Sequence, residues 1–138
     1  MQNWPIFMKQ LDYIIVGQGI AGSFLAYQLM KADKKVLVLN GPNLGRLGSR
    51  EPDIYGALDF AGLTSAVETA ATNLGLSADV RQTDSESELI GWIHEAVDAE
   101  QNVIMNPAAF THYSYALRDA AVQITKAGLK LIEVHLSN

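Results

Sequence analysis

The sequence predicts an α/β protein built around a parallel β-sheet. Short apolar runs, of the kind buried on both faces of such a sheet, alternate with longer segments whose apolar residues recur at helical spacing. Glycines and capping residues mark several of the boundaries. Five strands separated by helical crossovers predict a three-layer, flavodoxin-like or Rossmann-like sandwich with a five-stranded sheet.

Length and composition favour one domain that spans residues 1–138. The chain is 49% hydrophobic and 18% charged, enough to bury a core, and its net charge of −5 argues against nucleic acid as the main partner. It contains no cysteine, which excludes disulfides and thiolate metal sites. No apolar run approaches the roughly 20 residues of a membrane span, and no signal peptide is recognisable, so we expect a cytoplasmic protein.

The first elements in chain order are a leader, a strand and a helix. Residues 1–10 form the leader, and the run DYIIV at 12–16 predicts a buried strand. Gly17, Gly19 and Gly22 then form a G-x-G-x-x-G turn that opens a helix ending near Ala32. Such a turn can present helix N–H groups to a phosphate, or it can serve only for close packing.

The next element, the strand Val36–Leu39, runs into a long loop over residues 40–56. The loop is too rich in glycine and proline to be regular structure, and in open α/β sheets ligands bind beyond the carboxyl ends of strands. It could be a functional loop or a long polar surface loop. Its candidate functional side chains are Asn43, Arg46, Arg50, Glu51 and Tyr55.

The rest of the chain alternates helices and strands. Ser85 and Glu88 form a predicted capping box, and Gly75 and Gly128 are predicted helix stops. The predicted helices span 58–74, 86–99 and 113–126, and the predicted strands span 76–81, 102–105 and 129–134.

Three loops at the carboxyl ends of strands collect polar side chains that could perform acid–base chemistry without a metal. Arg50 would favour the phenolate form of Tyr55, and His135 could give a proton to a leaving hydroxyl. Each histidine alone is more often structural, but the three loops together favour a site. The loops contribute Asn43, Arg50 and Tyr55; Asn106 and His112; and Glu133, His135 and Ser137.

Residues 11–39 resemble the start of an FAD-dependent oxidoreductase of the amino-acid-oxidase type, with the same strand, glycine motif and helix. The resemblance implies FAD binding through Gly17, Gly19 and Gly22. In that family an acidic residue ends the second strand and holds the ribose hydroxyls, whereas this sequence has Asn40 there.

Residues 36–138 resemble a type II 3-dehydroquinate dehydratase. The matching blocks, in the family's order and spacing, are LNGPNLGRLGSREPDIYG, RQTDSESELIGWIHEA, NPAAFTHYSYALRDA and IEVHLSN. The resemblance implies a flavodoxin-like fold and the elimination of water from 3-dehydroquinate to give 3-dehydroshikimate. The family's reaction passes through an enolate and uses no cofactor.

The same resemblance implies a role for each matching residue. Tyr55 would be the base, activated by Arg50, and Asn43 would hold a water against the enolate oxygen. His135, supported by Glu133, would protonate the departing hydroxyl. The substrate-binding matches are Asn106, His112, Leu136, Ser137 and Asp119. Asp119 and Arg118 also match a region that faces a neighbouring subunit of the family's dodecamer.

The sequence also departs from that family. It stops before the family's substrate-contacting arginine loop, fifth strand and last helix, and about 35 other residues precede its first matching strand. We therefore expect a chimera with strand order 2-1-3-4, in which the strand at 12–16 lies beside the fourth strand and replaces the fifth. The rival arrangement pairs it with 36–39.

Three functions follow from these patterns. The first is a dehydratase, with catalysis impaired if the missing arginine loop is essential. The second is an FAD-binding module. The third is a recombined scaffold without activity.

Overall fold

Four parallel strands form a sheet in the computed structural model, which describes residues 35–49 and 58–135. The strand order is β2-β1-β3-β4, which confirms the predicted order 2-1-3-4. Among the described residues the sheet therefore has four strands, not the predicted five, and the strand predicted at 12–16 lies outside them. The strands are β1 (Lys35–Asn40), β2 (Ser77–Gln82), β3 (Asn102–Asn106) and β4 (Leu131–Glu133).

Within the described residues, three helices cover the two faces of this sheet. Helix α1 (Phe60–Asn73) packs on one face, where Val36, Val38, Ala71, Ile104 and Ile132 form a buried cluster. Helices α2 (Glu86–Asp98) and α3 (Tyr115–Lys126) pack on the other. The strands β1 and β3 are buried on both faces, as the unbroken apolar runs predicted. The larger cluster contains Leu37, Leu39, Leu89, Ile93, Ala96, Val103, Met105, Phe110, Leu117, Ala120 and Ile124.

A polar side chain caps the amino end of each helix. The carboxylate of Asp59 accepts a hydrogen bond from the backbone N–H of Gly62, and Ser114 Oγ accepts one from Leu117. Ser85 Oγ accepts from the N–H of Glu88, which confirms that half of the predicted capping box. Because the cap residue itself is not helical, α1 and α3 each begin two residues later than predicted.

All three helices end in the same backbone motif, in which residue C′ is left-handed. Gly75, Glu100 and Gly128 occupy this position with φ of 74°, 53° and 78°. The next residue donates its N–H back into the last turn, as in Leu76 to Ala71 and Leu129 to Ile124. Since Leu76 and Leu129 complete these motifs, the following strands begin at Ser77 and Leu131, later than predicted.

Arg81 joins strand β2 to helix α2. Its guanidinium contacts Asp79 at 2.9 Å and Glu95 at 2.7 Å, and lies 5.6 Å from the centre of the Trp92 ring. The hydrogen bond from Arg81 lowers the pKa of Asp79 below its ordinary value. The pair is therefore charged at neutral pH, and any stability it contributes is lost as the pH falls through the lowered pKa of Asp79.

The described residues include no helix that is both long enough and apolar enough to cross a membrane.

Candidate active site

The candidate site lies at the carboxyl ends of β1 and β3, which are neighbouring parallel strands of the sheet. Gly41 donates its N–H to the carbonyl of Asn106 over 2.8 Å. A Cβ atom built on Gly41 would lie 2.5 Å from the carbonyl oxygen of Pro107, so only glycine fits here without a shift. This close approach joins the two loops directly above the point where ligands bind in open α/β sheets.

Asn43 stands at the start of the loop after β1 and is held from the end of β2. Its backbone is left-handed, with φ of 67°, and its N–H donates to Asp84 Oδ1 over 2.7 Å. The side chain of Gln82 donates both to that same oxygen, over 3.0 Å, and to the carbonyl of Gly41, over 3.3 Å. Gln82 and Asp84 thus fix a backbone conformation that asparagine tolerates better than most residues.

Asn106 ends β3 and is 5% exposed. Its Oδ1 accepts a hydrogen bond of 3.1 Å from the N–H of Ala108, which is itself left-handed with φ of 51°. The Nδ2 group makes no hydrogen bond to another of the described residues. A buried donor of this kind is unfavourable unless it finds a partner, so the Asn106 amide is suited to bind an oxygen of a ligand.

Glu133 and His135 form an ion-pair geometry at the end of β4. Glu133 Oε1 lies 2.8 Å from His135 Nε2, and both side chains are about one-third exposed. An ionised carboxylate only accepts hydrogen bonds, so a hydrogen bond between these two atoms requires the proton on Nε2. The same Oε1 atom accepts a second hydrogen bond, of 3.2 Å, from the hydroxyl of Thr111. The pair can therefore orient an imidazole for proton transfer through Nδ1.

The structure brings Asn43, Asn106, Glu133 and His135 to the carboxyl end of the sheet, at or just beyond the ends of the neighbouring strands β1, β3 and β4. His112 and Asp119 are exposed, in the turn after β3 and on α3 respectively. The other predicted site residues lie outside the described residues: Arg50, Tyr55, Leu136 and Ser137, and the alternative flavin residues Gly17, Gly19 and Gly22.

Neither a metal site nor a flavin-type ribose site is found within 35–49 and 58–135. No group of three or more histidine, aspartate or glutamate side chains in these segments is placed to hold a metal ion. Asn40 stands where the FAD-dependent oxidoreductases have the acidic residue that holds the ribose hydroxyls. It is 4% exposed, and its side-chain amide donates a hydrogen bond to the carbonyl of Arg81. Asn40 therefore serves the packing of β1 against β2.

Comparison with known proteins gives the family. The profile described as dehydroquinase class II matches residues 34–138. The 3-dehydroquinate dehydratase of Mycobacteroides abscessus is 56% identical over 103 residues, which cover 75% of this chain and 69% of that protein. The chain belongs to the class II dehydroquinase family. The family named from the sequence motifs is thus confirmed.

Further relatives and solved structures agree with this family. The 3-dehydroquinate dehydratase of Kineococcus radiotolerans is 53% identical over 104 residues, again 75% of this chain and 69% of that protein. The type II dehydroquinase from Propionibacterium acnes has a TM-score of 0.72 at 51% identity, covering 77% of this chain and 71% of that chain. The type II dehydroquinase from Butyrivibrio crossotus has a TM-score of 0.73 at 38% identity, covering 78% and 73%. The prediction of a type II 3-dehydroquinate dehydratase, a hydro-lyase, is confirmed by these matches.

Sequence reasoning missed three residues that shape this dehydroquinase site. Gln82 and Asp84 fall in the loop between the predicted strand 76–81 and the predicted helix 86–99, and Thr111 carries no predicted role. A signal existed for the first two, because they come directly after a predicted strand, as Asn43 and Asn106 do. Thr111 gave no signal, since its partner Glu133 lies 22 residues away in sequence.

Proposed function

We propose that this chain eliminates water from 3-dehydroquinate to give 3-dehydroshikimate through an enolate, without a cofactor. The observation that supports it is that the candidate site residues lie together at the carboxyl end of the sheet. Asn43, Asn106 and the Glu133–His135 pair lie there, at or just beyond the ends of the adjacent strands β1, β3 and β4. The segment that carries them is the one that matches the dehydroquinase family.

In the proposed first step, the phenolate of Tyr55 removes the proton beside the substrate ketone. Arg50 stabilises that phenolate by its positive charge. The electron pair moves onto the ketone oxygen and gives an enolate, and Asn43 holds a water molecule that donates a hydrogen bond to this oxygen. The N–H of Asn43 donates a hydrogen bond to Asp84 Oδ1, which fixes the backbone of Asn43. The side chain of Asn43 is therefore in position to hold that water before the reaction begins.

In the second step, the enolate re-forms the ketone, a carbon–carbon double bond forms and the hydroxyl leaves. His135 gives its proton to the departing oxygen, so that water is released. The Glu133 carboxylate, 2.8 Å from Nε2, stabilises the imidazolium before the transfer and directs Nδ1 toward the leaving group. Asn106 and His112 bind substrate hydroxyls, and Leu136 and Ser137 bind the substrate carboxylate.

Replacing the proposed base tests this function directly. The wild-type protein should produce the ultraviolet absorbance of 3-dehydroshikimate when mixed with 3-dehydroquinate. Tyr55→Phe should lower kcat by about 100-fold or more, because general base catalysis contributes at least that much. Tyr115→Phe is the matched control, since Tyr115 is 80% exposed and has no part in the proposed steps.

Turnover by Tyr55→Phe at the wild-type rate would refute the assigned base. No turnover by the wild type would refute catalysis and would leave an inactive scaffold as the remaining interpretation.

The molecular mass of the protein in solution, measured in the same experiment, tests its oligomeric state. Asp119 and Arg118 are exposed on α3, and we propose that they face a neighbouring subunit in a family-type dodecamer built of trimers.

The strand predicted at 12–16 is proposed to lie beside β4 as a fifth strand, which makes residues 1–138 one chimeric α/β domain. Strand β1 pairs with β2 on one side and β3 on the other, so neither of its edges is open to a further strand. Within the described sheet the edges that remain are those of β2 and β4. Pairing with β4 would cover the open edge of the strand that ends at Glu133, two residues before His135.

FAD binding through Gly17, Gly19 and Gly22 is the alternative function, supported by the glycine spacing alone. The buried amide at Asn40 does not favour it. A purified protein that shows flavin absorbance would support this alternative, and a colourless protein that does not take up added FAD would remove it.

A further inference from the structure

We propose that Thr111 is a positioning residue for the acid His135, acting through Glu133. This inference rests on the proposed dehydratase function for its meaning in catalysis. The hydroxyl of Thr111 donates to Glu133 Oε1 over 3.2 Å, and His135 Nε2 lies 2.8 Å from the same oxygen atom. One carboxylate oxygen thus receives two donors from two different loops.

Without Thr111, the carboxylate of Glu133 has freedom to turn. The side chain is 35% exposed, so water competes for its oxygens. An ion pair at such a site is weak unless its geometry is held by additional contacts. The Thr111 hydroxyl supplies that contact and keeps Oε1 in the direction of the imidazole.

Thr111 can hold the carboxylate because its own position is fixed from the core. It lies in the short 3-10 turn Ala108–His112, which follows β3. The Phe110 ring is 5% exposed, belongs to the larger core cluster and packs edge-on against Tyr113. The N–H of Ser114 donates to the carbonyl of Phe110 over 2.9 Å.

The contact also links two predicted parts of the site. His112, a proposed substrate ligand, is the next residue after Thr111, whereas Glu133 and His135 belong to β4 and its end. The hydroxyl of Thr111 therefore couples the substrate-binding loop to the acid.

Paired variants of Thr111 separate the hydroxyl from the shape of the side chain. Thr111→Val keeps the shape and removes the donor, and it should lower kcat about 3- to 10-fold with KM changed less than twofold, as expected for one hydrogen bond. Thr111→Ser keeps the donor and should retain wild-type kcat. In a Glu133→Ala background, Thr111→Val should cause no further loss, because its partner is gone.

A second measurement does not depend on turnover. The rate at which diethyl pyrocarbonate modifies each of the three histidines can be followed by mass spectrometry. A less firmly paired His135 should react at least twofold faster in Thr111→Val than in wild type or Thr111→Ser. His94 and His112 should keep their rates.

Additive losses in the Thr111→Val, Glu133→Ala double variant would overturn the proposal. So would an unchanged His135 rate in Thr111→Val, or a parallel rise at His112, which would indicate a loosened loop instead. If the wild type lacks dehydratase activity, the proposed function fails, and the modification rates still decide whether Thr111 positions His135.

Discussion

At the scale of single residues, the candidate site depends on side chains that hold other residues in place. Asp84 accepts from the N–H of Asn43, Gln82 braces Asp84 and Gly41, and Thr111 contacts Glu133. Asn43 has a left-handed backbone that other residue types enter less readily. The groups proposed to touch substrate are thus oriented by neighbours that do not.

Removing the Asp84 acceptor should impair the proposed catalysis. Asp84→Ala frees the N–H of Asn43 and should lower kcat about 10-fold or more, because displacement of a catalytic group by about 1 Å has effects of that size. Asp84→Asn retains an acceptor oxygen and should keep most of the activity. Equal losses in both variants, at unchanged melting temperature, would show that the charge matters and not the acceptor.

At the scale of elements, the ends of helices decide where the strands begin. Each of the helices α1, α2 and α3 is followed by a residue in the left-handed region, and the N–H of the next residue donates to a carbonyl in the last turn of the helix. Two of these positions are glycine, but α2 has Glu100 with φ of 53°. A non-glycine residue is strained in this conformation. The negative charge of Glu100 is also unfavourable, because it lies at the carboxyl end of the helix, where the helix dipole is negative.

Replacing Glu100 with glycine should stabilise the protein. Glu100→Gly relieves the strained backbone, and we expect a gain of about 1 kcal/mol in the free energy of unfolding. Such a gain corresponds to a rise in melting temperature of about 3 °C, measurable by circular dichroism.

Glu100→Ala is the control, because it removes the charge but keeps a Cβ in the left-handed position. If the alanine variant is stabilised as much as the glycine variant, the charge and not the backbone is the cause.

At the scale of the whole molecule, the open edges of the described sheet limit where a further strand can pair. Both sides of β1 are occupied, so the rival arrangement with the strand at 12–16 beside 36–39 would require β2 or β3 to leave. The apolar cluster on the α1 side includes Ile132 of β4 and is continuous as far as Val80 of β2. A contact of the predicted strand with Ile132 would therefore indicate pairing with β4, and a contact with Val80 would indicate pairing with β2.

Engineered cysteines should distinguish the two edges, because the chain has none of its own. Ile15→Cys with Ile132→Cys should form a disulfide on oxidation if the strand lies beside β4, since neighbouring strands lie about 5 Å apart. Ile15→Cys with Val80→Cys should not, because β4 and β2 are separated by two strands. A disulfide in the second pair alone, in a protein with wild-type circular dichroism, would place the strand beside β2.

The parallel α/β fold, the strand order and the family could all be predicted from the amino-acid sequence. Apolar runs report burial on both faces of a sheet, and the blocks around Asn43, Asn106 and His135 carry the family resemblance. Which residues hold these side chains in place is seen only once the chain is folded. The contacts of Asp84 with Asn43 and of Thr111 with Glu133 join residues 41 and 22 positions apart. Such pairs come into contact because the sheet brings the ends of different strands together. A local pattern of residue spacing cannot predict these contacts.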